Sequence, residues 1–102
     1  MISVMLDAEI RRLQTDHLWL KIETCLTFAS IAEVRYELRM AGAERFLADG
    51  EQEYLRLLRL FCEADLSNES KRSLQSEIVG VRDRLNEVKQ SQQRRLALAL
   101  AS

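Results

Sequence analysis

Proline is absent from this chain of 102 residues, and only three glycines occur. Those two shortages exclude a loop-rich β protein, a collagen-like chain and a disordered tail region. Long apolar runs are missing too: none approaches the ~18–20 residues that cross a bilayer. Charge of one sign is also lacking. Fifteen Lys and Arg face sixteen Asp and Glu, for a formal net charge of -1. The basic clusters are Arg11-Arg12, Arg35 with Arg39, and Arg94-Arg95. Each is short or has acidic neighbours, so solvated helix faces are expected there and not a nucleic-acid surface.

Groups that carry chemistry are equally scarce. His17 is the only histidine. It lies on an apolar stripe between Leu13 and Leu20, where a hydrogen-bonded core or interface histidine is the expected role. Its neighbours one turn away, Leu13, Arg12 and Lys21, offer no metal ligand. Cys25 is the nearest thiol, about 12 Å further along the same helix, so the two cannot act as nucleophile and base within one chain. Cys25 and Cys62 have no metal-ligand spacing and fall among apolar residues, which suits two reduced thiols acting as small hydrophobes. Carboxylate pairs such as Glu33/Glu37 sit among arginines, in a surface ion-pairing pattern. No glycine-rich phosphate loop occurs. The expectation is a non-enzymatic protein without metal or cofactor. The start, Met1 to Leu6, is too short for a signal segment and reaches Asp7 at once, so a cytoplasmic location is expected.

What the chain does contain is helix-forming residues in helical rhythm; 47% of it is apolar. One row runs Leu6, Ile10, Leu13, His17, Leu20, Thr24, Thr27, Ile31, Val34, Leu38, in unbroken steps of four and three. Such a row stays on one side of a helix. A second row runs beside it: Leu18, Ile22, Cys25, Ala29, Ala32, Tyr36. Residues 18–38 therefore carry a wide apolar face, suited to two partner helices. Residues 4–17 carry a narrow one. A further row, Ala43, Leu47, Gly50, Tyr54, Leu57, Phe61, predicts a second helix, with Gly42 as a left-handed C-cap between the two. The segment Glu63 to Glu69 interrupts the pattern and supplies Ser67 as an N-cap. A third row, Leu74, Ile78, Val81, Leu85, Val88, follows. Gly50 and Gly80 are expected where helix backbones approach closely.

These elements predict one all-α domain, an antiparallel three-helix bundle with coiled-coil-like packing. The helices are placed at about 4–40, 43–63 and 67–95. Residues 96–102, Leu-Ala-Leu-Ala-Leu-Ala-Ser, are expected to be a frayed helix end or disordered tail, with a docking peptide as the alternative. The first helix outruns the second, leaving Met5, Leu6, Ile10 and Leu13 without a partner in the chain. A break near Thr15-Asp16, with a short fourth helix folded back, is the alternative.

Within residues 21–62, Ala29, Ala32 and Tyr36 precede Gly42, Ala43 and Phe46. This resembles a single tetratricopeptide-repeat hairpin, in which small residues and an aromatic from two helices interlock. No second copy follows, and the repeat's closing proline is absent. The resemblance implies a helix-hairpin interaction module and carries no functional residues with it.

The functional expectation is a protein–protein interaction module that self-associates as a homodimer, or binds another helical protein, through the first part of helix one. The candidate interface is Met5, Leu6, Ile10, Leu13, His17 and Trp19. The alternative is a small helical module that binds an apolar ligand at Thr24, Thr27 and His17, or a nucleic-acid backbone along Arg82, Lys89, Arg94 and Arg95. Neither membrane nor nucleic acid is the expected partner.

Overall fold

The computed structural model describes residues 2–101. Three helices account for nearly all of them: α1 (Ile2–Glu37), α2 (Ala43–Glu63) and α3 (Asn68–Ala101). No strand occurs among the described residues. The molecule is an all-α three-helix bundle, as the three rows predict.

α1 is continuous, and the alternative of a fourth helix does not arise. The Thr15 hydroxyl donates to the Arg11 carbonyl, 2.9 Å away, inside the helix instead of capping a new one. α2 folds back along α1, with Phe28 and Phe46 ring centroids 6.2 Å apart near the turn. α3 then runs parallel to α1. Arg11 reaches Asp65 at one end, Arg84 reaches Glu33 midway and Arg95 reaches Glu37 near the other end. The two parallel helices are therefore staggered. The N-terminal turns of α1 overhang one end, the last turns of α3 overhang the opposite end, and the molecule measures 69 × 22 × 16 Å.

The core is built from Leu18, Ile22, Cys25, Ala29 and Ala32 of α1, Ala43, Leu47 and Leu57 of α2, and the complete row Leu74, Ile78, Val81, Leu85, Val88 of α3. Leu66, in the α2–α3 connection, closes one end. The expectation that both rows of α1 are covered over residues 18–38 is overturned. Only the inner row is buried; Leu20, Val34 and Leu38 of the outer row are exposed. The physical reason lies in residue size. Cys25, Ala29 and Ala32 let α2 and α3 approach the α1 backbone, and the bulkier row then falls on the opposite side.

The turns also differ from expectation. Met40 N–H donates to the Arg35 carbonyl at 2.8 Å and Arg39 N–H to the Tyr36 carbonyl at 3.2 Å. This is the paired bonding of a Schellman cap. Its left-handed residue is Arg39, with φ 56°, and not Gly42. Gly42 is left-handed as well, with φ 89°, but it leads into α2. Arg35 ties the turn together: it donates to the Ala41 carbonyl at 2.8 Å and stacks 4.8 Å above the Phe46 ring. Ser67 caps α3 as the sequence suggests, accepting from Ser70 N–H at 3.2 Å.

Gly50 sits where helices meet. A Cβ there would lie 3.1 Å from Leu85 Cδ2 and 3.2 Å from Phe28 Cβ. Gly80 does not: no atom lies within 4 Å of the same construction, so the close approach expected there is absent. The Leu-Ala tail, expected to fray, continues α3 through Ala101. Ser102 lies outside the described residues.

Candidate functional site: the outer face of α1

The side of α1 turned away from the core carries the row from Leu6 to Leu38. Met5, Leu6, Ile10, Leu13, Leu20, Val34 and Leu38 are all exposed, from 49% at Val34 to 73% at Met5. Thr24 and Ile31 are half-buried, and His17 and Thr27 are exposed. His17 is thus a surface residue of the row and not a core residue. The Thr24 and Thr27 hydroxyls donate to the Leu20 and Glu23 carbonyls of their own helix, each at 2.9 Å. They are already satisfied, which removes the reason to treat them as ligand-facing donors. The row is therefore an apolar strip with a mildly polar centre, along the full length of a helix. Monomeric proteins seldom expose an apolar strip of that extent without using it.

Trp19 stands apart from the other five interface candidates. It is half-buried and packs against the core beside the strip. Met5, Leu6, Ile10, Leu13 and His17 do share the outer face. The sequence reading missed the second half of the face, Leu20 to Leu38. The signal was the same row of fours and threes, assigned to the core.

Near the N-terminal end the strip deepens into an open groove of about 440 Å³ between α1 and the end of α2. Ile10, Leu13, Leu18 and Leu60 form its apolar walls, with Gln14 and His17 on its rim. Gln14 Oε1 is buried there and accepts no hydrogen bond from the described residues. A buried acceptor without a donor costs ~1–3 kcal/mol, so an occupant with an N–H or O–H would gain there.

Elsewhere several ionisable groups hold helices together. Arg84 grips Glu33 with two hydrogen bonds, at 2.8 and 3.0 Å, which holds the Glu33 carboxyl below its usual range. Lys21 does the same to Glu53 at 2.8 Å, with Arg56 on the other oxygen. Of the possible basic strip on α3, Arg82 pairs with Asp83, Lys89 with Glu51 and Arg95 with Glu37. The Cys25 thiol is buried, and burial pushes its pKa up to about 11, which keeps it protonated at neutral pH. Cys62 is exposed and free. No cluster of three metal-ligating side chains occurs among the described residues. No helix among them is long and apolar enough to cross a membrane.

Family models, curated proteins and solved structures give no match to this chain. The functional reading therefore rests on the geometry of the strip.

Proposed function

We propose that this chain is a non-enzymatic helical interaction module that self-associates through a surface that includes the N-terminal part of α1. The observation that carries the reading is the row Leu6, Ile10, Leu13, which stays more than half exposed although the end of α2 lies beside Ile10 and Leu13. A helix laid along such a row removes apolar area from water at ~25 cal/mol per Å². The spacing of three and four is the one that accepts a second helix. The strip carries no nucleophile, metal-ligand set or phosphate cradle, which favours binding over catalysis as its use.

The test is the mass in solution of the wild type and of a Leu6→Glu/Ile10→Glu variant, by light scattering at two concentrations. Both side chains are more than half exposed, so the variant keeps its helicity by circular dichroism. The wild type is expected to be a dimer or larger, and the variant a monomer. A wild type that stays monomeric, or an assembly that the two charges do not dissolve, overturns the reading.

One observation favours a second reading, a small apolar ligand bearing a donor: the groove beside Leu60, with Gln14 Oε1 in it. Its volume lies within the usual range for ligand sites. An apolar fluorophore that brightens on the wild type, but not on Leu13→Glu, with oligomeric mass unchanged, would favour it.

A further inference from the structure

We infer that the partner of the outer face is a second copy of the same chain, laid antiparallel along α1 about a two-fold axis level with Ile22. This rests on the self-association proposed above and adds the direction, the register and the residue pairs. It also extends the contact from the first turns to the whole helix.

The row reads the same from both ends. Leu6 and Leu38 lie sixteen residues either side of Ile22, Ile10 and Val34 twelve, and Leu13 and Ile31 nine. His17 and Thr27 lie five away, and Leu20 and Thr24 two. In an antiparallel pair about that level, each residue meets the one equally far beyond the axis. Leu6 of one copy then faces Leu38 of the other, Ile10 faces Val34, and Leu13 faces Ile31. Apolar residues meet apolar residues at both ends. The polar residues His17, Thr24 and Thr27 gather near the centre, where His17 faces a hydroxyl. A two-fold contact requires this self-complementarity, because one patch must serve as both halves.

A parallel pair would also match like with like along the row. The stagger of the bundle decides between them. The apolar overhangs are at opposite ends of the molecule: Met5 and Leu6 on α1 at one end, Leu96 and Leu100 on α3 at the other. Arg95 lies beside Glu37, so the tail beyond it is level with Leu38 and further out. Once Leu38 is set against Leu6 of the second copy, the α3 tail of one copy comes level with the α1 overhang of the other. Only the antiparallel arrangement brings these two exposed ends to the same level. A parallel pair would leave the α1 overhangs as a bare two-helix stalk and both tails uncovered.

The flanks agree in part. Asp7 and Arg35 border the row on the same side, fifteen and thirteen residues from Ile22, and come nearly level across the axis, with Arg35 already held on the Ala41 carbonyl and the Phe46 ring. Glu9 and Glu37, thirteen and fifteen residues from Ile22, also come nearly level, but each already holds an arginine, Arg12 and Arg95. Lys21 nears its own mate with Glu53 bound to it. Glu23 near its own mate is the remaining repulsion. The area suffices: a strip ~50 Å long and ~10 Å wide on each copy gives ~1,000 Å² in total, the lower bound for a specific interface.

The experiment uses the full chain with Cys62→Ser, which leaves only the buried Cys25. Ile10→Cys and Val34→Cys are made as two separate proteins at exposed positions. Each is oxidised alone, and then the two are oxidised as a mixture. Sedimentation of the wild type is run alongside. A wild-type dimer, with cross-linked species in the mixture at least tenfold above either protein alone, is the expected result. A wild-type dimer in which either protein cross-links readily by itself means a parallel pair, and overturns this inference while leaving the self-association reading intact. A dimer with no cross-link in any sample places the contact elsewhere and overturns it too. A wild type that is monomeric at every concentration overturns both.

Discussion

Arg39 ends α1 in a conformation that suits glycine. Its φ of 56° places it in the left-handed region, where an L-residue pays roughly 1–2 kcal/mol. The two cap hydrogen bonds from Arg39 and Met40 hold it there. Glycine at the same position would escape the strain, at a smaller cost in unfolded-chain entropy. Arg39→Gly is therefore expected to stabilise the fold by about 0.5–1 kcal/mol in urea denaturation. Arg39→Val, β-branched at a positive φ, is expected to destabilise it by more than that. If both variants lower stability equally, the Arg39 side chain and not its backbone is what the turn needs.

At the scale of the helices, two glycines with similar sequence settings part company. Both lie inside helices, where glycine costs about 1 kcal/mol relative to alanine. Gly80 faces open space, so Gly80→Ala is expected to recover about that amount. At Gly50 a new Cβ meets Leu85 Cδ2, which can swing aside, and Phe28 Cβ, which is fixed to the α1 backbone. Gly50→Ala is expected to lose stability despite its better helix propensity, because α1 and α2 must separate slightly to admit it. Thermal melts of the two variants check the opposite signs. The same contrast shows what was legible in the sequence. α3 carries a single strict apolar row, and α2 one row that Phe46, Leu55, Leu58 and Cys62 widen; either has only one way to face a core. The span of α2, the start of α3 and the Ser67 cap follow from it, but not the continuation of α3 to Ala101. α1 carries two rows, and periodicity cannot rank them. The rank is set by how closely neighbours pack, which favours the row with Cys25, Ala29 and Ala32 over the row with more leucine. The larger hydrophobes therefore point outward, and half of the candidate interface was hidden behind a rule that usually holds. Gly80 differs for a related reason: it lies beside the α3 row and not in it, and a glycine signals close contact only where a neighbour is present.

For the molecule as a whole, the third helix is fastened by a complete apolar row and by carboxylates on the hairpin. Glu33 and Glu37 of α1 hold Arg84 and Arg95, and Glu51 of α2 holds Lys89. Within the hairpin itself, Glu53 holds Lys21. The Arg84 hydrogen bonds lower the Glu33 pKa, and the Lys21 hydrogen bond lowers that of Glu53. A carboxyl with a lowered folded value binds protons more readily in the unfolded chain, whose value is ~4.3. Its contribution is therefore complete above the unfolded value and is lost as pH falls through the folded one. Urea midpoints are expected to stay level from pH 7 to about 5 and to fall below about pH 4. A Glu33→Gln/Glu53→Gln variant is expected to start lower at pH 7 and to fall less steeply in acid. The size is modest, because pairs at the surface are worth ~1 kcal/mol or less each. Of the two, Glu53 is the better shielded, its side chain 12% exposed against 31% for Glu33, so the single variant Glu53→Gln is expected to remove the larger share. An unchanged acid slope in the double variant would mean that other carboxyls set the response. Glu33 and Glu53 would then serve to align the helices and not to hold them.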